Sequence, residues 1–222
     1  MIVVYFEKQK YRFYMRYMIK ILVTYYCKGE GIEIGPGDHP YCDPSTTLFL
    51  DKYNNQYPDG PKIDIQADAS TIIKPDNTFD YLLSSHYLEH QPDTLKVLYE
   101  WKRIVKPGGT LFLILPHGRR CFDNGRILTT LAHHLDDYKK KVDVNDRTHW
   151  AEFERFSIPQ FKHRWLSRAK KPDGSFDFKW IVTQGHLHYH VWAQNEMLEI
   201  LKYIGCDIHV VWRSFSNDRI VF

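Results

Sequence analysis

Short apolar runs recur along the first half of the chain, and polar or glycine-rich segments separate them. Brief runs of this kind are typical of parallel strands that are buried on both faces of a sheet. The intervening segments are crossovers, so the pattern predicts an α/β fold with a mostly parallel sheet. The five predicted strands are Ile32–Ile34, Thr47–Leu50, Ile63–Ile65, Tyr81–Ser84 and Thr110–Leu115.

The last part of the chain predicts a helix and two further strands. Ala193–Tyr203 has helical periodicity and ends just before Gly205. Ile208–Ser214 and Arg219–Phe222 flank a polar turn, which predicts a closing hairpin. The sheet is therefore expected to have seven strands, the last one antiparallel.

Two more helices are predicted in the first half. Pro92–Val105 carries apolar residues at helical spacing, and the Pro107-Gly108-Gly109 turn ends it. Lys8–Tyr26 has an aromatic and apolar stripe on one side and basic residues on the others. This second helix suits either a membrane surface or, as we favour, packing on the domain. Its stripe consists of Tyr11, Tyr14, Met15, Met18, Leu22 and Tyr25.

The stretch from His117 to Gly185 does not follow the strand–helix rhythm and is interpreted as a helical and loop segment inserted after the fifth strand. Within it, Arg126–Lys141 predicts a helix. The whole chain is interpreted as one domain, residues 1–222. Its parts are an N-terminal helix (8–28), a ligand-binding half (29–116), an insertion that binds a second substrate (117–185) and a C-terminal helix with a hairpin (186–222).

Composition narrows the function classes. The 222 residues include 30 basic and 27 acidic side chains, a net charge of +3, which argues against a protein that binds polyanions by bulk charge. The four cysteines lack metal-ribbon spacing, and no apolar run is long enough to span a membrane, so we expect a reduced, cytoplasmic protein. Twelve histidines are unusual, because histidine titrates near neutral pH and binds metals.

Three carboxylates end three neighbouring predicted strands. Glu33 precedes a turn containing Gly35 and Gly37, Asp51 ends the next strand, and Asp68 follows the third. Carboxyl ends of parallel strands meet at one crevice, where an acid at the end of the second strand binds a ribose in dinucleotide folds. The acidic loop and the prolines after it disfavour a pyrophosphate site, so a cationic ligand that carries an adenosine fits better than NAD.

From Gly31 to Pro116 the chain resembles class I S-adenosylmethionine-dependent methyltransferases, which have a Rossmann-like fold. The similarity lies in Glu33-Ile34-Gly35-Pro36-Gly37 and in the block from Asp76 through His90 to Thr110. His39 stands where the family often has a third glycine. The resemblance implies S-adenosyl-L-methionine as cofactor. The residues that it implies around the cofactor are Glu33, Gly35, Gly37, Asp51, Asp68, Ala69, Ser85 and His86.

The segments Gly35–Thr46 and Lys52–Lys62 are too short or too rich in proline for full helices. One sheet face must then be covered in another way. We expect the Lys8–Tyr26 helix to cover it, helped by the insertion or by a second subunit in a homodimer.

Methyl transfer to a hydroxyl needs alignment and usually a base. The candidates are histidines in the second half: His117 directly after the fifth strand, and the alternating set His186, His188 and His190, which an extended backbone would point to one face. His133 with Asp136 or Asp137, and His149 with Glu152, also lie one turn apart. Three roles stay open for these histidines: structural residues satisfied by hydrogen bonds, a general base, or ligands of a metal ion. No residue is assigned as a metal ligand.

The insertion interleaves basic and aromatic side chains, among them Arg119, Arg126, Trp150 and Phe153. Aromatic rings stack on sugars, and arginines bind phosphates or carboxylates. We therefore expect a small-molecule or saccharide acceptor, and O-methylation in glycan biosynthesis, since the insertion is similar to methyltransferases of surface-glycan biosynthesis. RNA is the second choice and nucleic acid is disfavoured, because the net charge is low and no RNA-binding module is recognisable. A catalytically silent binding subunit is the alternative from a different class.

Overall fold

The computed structural model describes residues 2–7, 12–52, 60–160, 166–212 and 220–221. Parts of two predictions lie outside these residues: the start of the N-terminal helix, at residues 8–11, and the turn of the C-terminal hairpin. Most of the segment between the second and third predicted strands, residues 53–59, also lies outside.

An eight-stranded sheet forms the centre of the fold, in the order β4-β3-β2-β5-β6-β1-β7, with β8 beside β1. Every described pair along β4-β3-β2-β5-β6-β1-β7 is parallel, and β8 pairs with β1 antiparallel. All five strands predicted in the first half are present. The strands are β1 (Ile2–Glu7), β2 (Gly31–Ile34), β3 (Thr47–Asp51), β4 (Ile65–Gln66), β5 (Phe79–Ser85), β6 (Val105–Pro116), β7 (Ile208–Trp212) and β8 (Ile220–Val221).

The sheet differs from the expected seven strands at its far edge. The run Ile2–Glu7 forms a strand that lies between β6 and β7, with Ile2 opposite Leu111 and Glu7 opposite Pro116. A strand was not predicted there, although β-branched and aromatic residues favour one. The expected hairpin would pair its two strands with each other. In the described residues, β7 and β8 each pair with β1 instead, which is their common neighbour.

Seven α-helices occur among the described residues. The helix α2 begins after Asp93, whose carboxylate accepts a hydrogen bond from Lys96 N, and α3 begins after Thr130, which caps His133 N. Because of that cap, α3 starts later than the predicted Arg126. The helices are α1 (Arg12–Tyr26), α2 (Thr94–Ile104), α3 (Leu131–Lys140), α4 (Trp150–Glu152), α5 (Leu166–Ala169), α6 (Phe178–Thr183) and α7 (Gln194–Tyr203).

Helices cover both faces of the sheet. Side chains of α2 and α7, including Trp101 and Met197, pack on one face. On the other face, Ile19, Leu22 and Val23 of α1 pack against Tyr81, Leu83, Phe112 and Ile114 of the central strands. The segment between β2 and β3 contains no helix, so α1 covers this face as expected from the sequence.

The buried face of α1 is shifted from the predicted stripe. Ile19 is fully buried, whereas Tyr25, which was assigned to the stripe, is 65% exposed. Helical periodicity does not show which side of α1 meets the sheet, and the outward side also carries the apolar or aromatic residues Tyr17, Ile21 and Tyr25. No helix in the described ranges is long and apolar enough to cross a membrane.

Candidate active site

A cavity of about 650 Å³ lies at the carboxyl ends of β2 to β5. Ligands of open α/β sheets bind at this edge. One wall consists of strand ends, and the opposite wall comes from the insertion and the segment that follows it. Residues on the first wall are Gly35, Gly37, Asp51, Asp68 and His86, and residues on the second include Phe122, Asp143, Gln184, His186 and His188.

The two predicted glycines both have positive φ, but they differ in what surrounds them. A Cβ built on Gly35 (φ +64°) would lie 2.7 Å from Cδ2 of Tyr87, so packing requires glycine there. A Cβ on Gly37 (φ +61°) would meet no atom within 4 Å. The backbone at Gly37 therefore faces open cavity space, which a ligand can approach closely.

Two of the three predicted carboxylates line the cavity. Asp51 ends β3, and Asp68 follows β4, where its Oδ1 accepts a hydrogen bond from Ser70 N at 2.9 Å. Burial by itself would raise the pKa of Asp68, but the hydrogen bonds from Ser70 and the charge of Lys52 lower it. Two carboxylates and an open glycine backbone fit the cationic, adenosine-bearing S-adenosylmethionine.

Three predicted cofactor residues do not line the cavity. Glu33 is buried beneath the loop and accepts hydrogen bonds from Tyr41 N and Cys42 N at 3.0 and 2.9 Å. Ala69 lies in the hydrophobic core, and Ser85, at the end of β5, is absent from the cavity wall. Glu33 stabilises the loop that carries the two glycines, and direct contact of these three residues with the cofactor stays a prediction.

His86 lies where expected, on the cavity wall. Its φ of +49° is unusual for a residue with a side chain. The Nδ1 atom of His86 is 3.5 Å from Oε1 of Glu89, which is completely buried and has no hydrogen-bond partner among the described residues at either carboxylate oxygen. Burial alone would raise the pKa of Glu89, but the neighbouring histidines reverse the shift and lower it.

His188 is the predicted base that the geometry supports best. Its Nδ1–H donates to Oδ2 of Asp123 at 2.6 Å, and its ring lies on the cavity wall between Phe122 and His90, with ring centroids 4.6 Å from each. Because Nδ1 carries the proton, Nε2 is the atom that can accept one. Burial would raise the pKa of Asp123, but the hydrogen bond from His188 and the charge of Arg126 hold it well below its usual range.

Arg126 contacts both Asp123 and the backbone of the His188 segment. It is fully buried, and its guanidinium donates to Oδ1 of Asp123 and to the carbonyl oxygens of His188 and Tyr189. Burial excludes Arg126 as an exposed group that binds a phosphate of the acceptor, and Phe153 is buried as well. Arg126 is therefore a positioning residue for the His188 segment.

The other predicted base candidates have different positions. His186 lines the cavity beside Trp180. His117 is buried away from the wall, where its Nδ1 accepts from Arg119 N at 3.1 Å. His190 is also buried outside the cavity, so the prediction that His186, His188 and His190 share one face is wrong for His190. The segment has no regular strand geometry.

Two groups of histidines and carboxylates in the described part of the chain bring potential metal ligands within 4.8 Å of one another. One group, Glu89, His90 and His188, borders the cavity. The other joins α3, the loop after it and the segment near residue 190, and it contains His133, Asp137, His149 and His190. The predicted pairings of His133 with Asp137, at 3.2 Å, and of His149 with Glu152, at 2.9 Å, are both present.

Sequence reasoning missed Asp123 and Glu89. Asp123 lies in an irregular stretch without periodicity, and its only local clue is the three-residue spacing to Arg126. Glu89 lies in the Asp76–Thr110 block that resembles the family, but the sequence assigns it no role. Its burial depends on how α2 and the segment near His188 pack.

Comparison with known proteins agrees with this geometry. Residues 41–113 match a family model described as a methyltransferase domain. The demethylmenaquinone methyltransferase of Bacillus licheniformis is 49% identical over 45 residues, which are 20% of this chain and 19% of that protein. The enzyme of that name from Listeria welshimeri is 28% identical over 108 residues, 48% of this chain and 40% of that protein. The matches thus span less than half the length of these relatives.

A crystal structure of the PH0226 protein from Pyrococcus horikoshii superimposes with a TM-score of 0.52, at 15% identity, over 97% of this chain and 91% of that one. Similarity at this level shows a shared fold only. The chain is thus an α/β protein of Rossmann-like fold with a methyltransferase domain match over residues 41–113, and its activity is argued from the cavity.

Proposed function

We propose that the protein is an S-adenosylmethionine-dependent methyltransferase that methylates a hydroxyl group of a small polar acceptor, with a sugar or saccharide as the favoured class. One observation carries the proposal: a single cavity joins Gly37, Asp51 and Asp68 at the strand ends to the His188–Asp123 pair on the opposite wall. The first set suits the cofactor, and the second suits the removal of a proton from an acceptor.

The part of the cavity at the strand ends supports the proposal through its carboxylates and its open space beside the glycine loop. Asp51 is placed to accept hydrogen bonds from a ribose, and the open backbone at Gly37 allows close approach. When bound, S-adenosylmethionine supplies a methyl group on a positively charged sulfur, which leaves with the electron pair of the broken C–S bond as S-adenosylhomocysteine.

At the acceptor end, His188 Nε2 takes the proton of the hydroxyl as the oxygen bonds to the methyl carbon. The imidazolium that forms stays hydrogen-bonded at Nδ1 to Asp123, whose charge compensates the charge that the ring gains.

The acceptor class is supported by the lining. Phe122 offers a ring for stacking on a sugar face, and Gln184, His186 and Asp143 offer hydrogen-bonding groups. The curated relatives are named for demethylmenaquinone, a quinone, but they match only a small part of this chain, so that acceptor serves as a comparison substrate.

The experiment is transfer of label from methyl-labelled S-adenosylmethionine to sugar nucleotides, free saccharides, a demethylmenaquinone analogue and RNA. We expect label in a saccharide, and His188→Asn should abolish most turnover while leaving affinity for S-adenosylhomocysteine unchanged. The control is Lys171→Ala, an exposed residue outside the cavity wall. Labelling of the quinone or RNA alone would refute the acceptor class, and cofactor binding without transfer to any acceptor would favour a silent binding subunit.

A further inference from the structure

Four side chains form a compact cluster beside the active site, which we call the His3Asp cluster. Its members come from three separate segments: the helix α3, the loop that leads to α4, and the segment between α6 and α7. They are His133, Asp137, His149 and His190. We propose that the His3Asp cluster binds one divalent transition metal ion, with zinc preferred, in a closed site of four protein ligands.

The distances between the donor atoms fit a small cation. Nε2 of His133 lies 2.9 Å from Nε2 of His149 and 3.2 Å from Oδ2 of Asp137. The same Asp137 oxygen lies 3.0 Å from Nε2 of His190. Zinc bonds of about 2.0–2.1 Å imply donor–donor edges of about 3.3 Å in a tetrahedron, so these three donor pairs need to move apart by no more than a few tenths of an ångström. All four donor atoms lie within 4.8 Å of one another.

The hydrogen bonds at the opposite ring nitrogens direct lone pairs into the cluster. Nδ1–H of His149 donates to Oε1 of Glu152 at 2.9 Å, and Nδ1–H of His190 donates to the carbonyl oxygen of Gln91 at 3.2 Å. Each neutral ring therefore presents Nε2 as an acceptor. Carboxylate and carbonyl partners of this kind orient metal-binding histidines in proteins.

With these tautomers, the cluster has no positive charge to balance the carboxylate of Asp137. The acceptor Nε2 of His190 faces an acceptor oxygen of Asp137 at 3.0 Å, a contact that repels unless a proton or a cation lies between the atoms. A divalent ion bonded to all four donors removes this conflict. Imidazole nitrogen with one carboxylate is a donor set that zinc accepts, whereas magnesium and calcium prefer oxygen.

Burial indicates a structural role for the ion. The side chains of His190, Asp137 and His149 are 1%, 10% and 12% exposed, and His133, at 30%, forms the open side. Four protein ligands leave no open position for substrate, as in structural zinc sites. The ion would connect the three segments through His190, which is two residues from His188. It would thereby fix the position of His188 at the cavity.

The test measures metal in the purified full-length chain, independently of methyl transfer. We expect about one zinc per chain after dialysis, and a tetrahedral visible spectrum when cobalt(II) replaces it. His149→Ala should weaken zinc binding by at least 100-fold. Glu152→Ala should weaken it by roughly 10–100-fold, because it removes the hydrogen-bond acceptor of His149 Nδ1–H, together with a contact to Arg126.

Two further variants keep the test decisive if His149→Ala fails to fold. His149→Cys preserves a zinc ligand and should retain the metal with a sulfur-to-cobalt absorption band. Glu89→Gln alters the other histidine group and should leave zinc binding unchanged. The proposal is overturned if the wild-type chain takes up no zinc or cobalt, or if Glu89→Gln loses the metal while His149→Ala keeps it.

Discussion

Nδ1 of His188 and Oδ2 of Asp123 are 2.6 Å apart, although 65 positions separate the two residues along the chain. The contact fixes the ring so that Nε2 is left to accept a proton, and it joins the insertion to the segment after it. We expect Asp123→Asn to lower kcat by about 10²–10⁴-fold, since the base loses its orientation and its anion. Steady-state kinetics at saturating cofactor measures this.

Asp207→Asn is the matched control for that variant, because it removes an exposed carboxylate outside the cavity wall and should change kcat less than twofold. Unchanged turnover in a folded Asp123→Asn protein would show that the pair has no part in the reaction.

Gly37 and Gly174 form a matched pair for testing the cofactor loop. Both have positive φ, and a Cβ on either would meet no atom within 4 Å. Replacing either by alanine should therefore cost about 1 kcal/mol of stability through backbone strain. Only Gly37→Ala should also weaken S-adenosylhomocysteine binding, by roughly tenfold or more, which is at least about 1.4 kcal/mol. Calorimetry with both variants decides, and equal affinities would remove Gly37 from the cofactor site.

The packing of α1 on the sheet predicts an asymmetric response at two isoleucines. Ile19→Ala opens a cavity against the central strands and should lower the free energy of unfolding by about 2–5 kcal/mol. Ile21 is 46% exposed on the same helix, and changing it to alanine should lower the free energy of unfolding by no more than about 0.5 kcal/mol. Urea denaturation gives both values, and similar losses in the two variants would place the buried face of α1 elsewhere.

His90 predicts a pH dependence of stability. Burial, with the nearby charge of His188, lowers the pKa of His90 to about 4 in the folded protein, against the opposing effect of Glu89. An unfolded histidine titrates near ~6.5. Between these values the unfolded chain binds a proton that the folded chain does not, so stability falls as the pH decreases from about 6.5 to 4.

His90→Gln removes this group while leaving Glu89, His86 and His188 around the position. Its free energy of unfolding should therefore fall less steeply over the same pH range than that of the wild type. Chemical denaturation at a series of pH values measures the slopes, and parallel curves would show that His90 is not held neutral.

The sequence predicted the parts of the fold that depend on local pattern. β2, β3, β5, β6, α2 and α7 lie close to their expected positions, since each has clear periodicity or a capping residue. The strand at Ile2–Glu7 was missed although its β-branched and aromatic residues favour one. Its position between β6 and β7, which lie about a hundred or more residues away in the chain, could not be predicted from a local window.

The candidate site was predicted unevenly for a similar reason. Gly35, Gly37, Asp51, Asp68 and His86 follow strands directly, so the topology alone brings them to the cavity. His188 could be named as a candidate but could not be separated from His186 and His190, because their segment is irregular.

The burial of Glu33 under its own loop, and the contact of Asp123 with His188, depend on tertiary packing that no spacing rule encodes. The same holds for the His3Asp cluster. Its pairs within α3 and around α4 follow helical spacing, whereas the arrival of His190 does not.

Calorimetric titration of the wild-type chain and of Asp51→Ala with S-adenosylhomocysteine tests the central claim most directly. We expect one site per chain in the wild type and an affinity about 5–150-fold weaker in Asp51→Ala, because a ribose hydroxyl loses a charged partner worth about 1–3 kcal/mol. Glu199→Ala, an exposed change on α7, should bind like the wild type. Absence of binding to the wild-type chain, or binding of NAD in its place, would contradict the account.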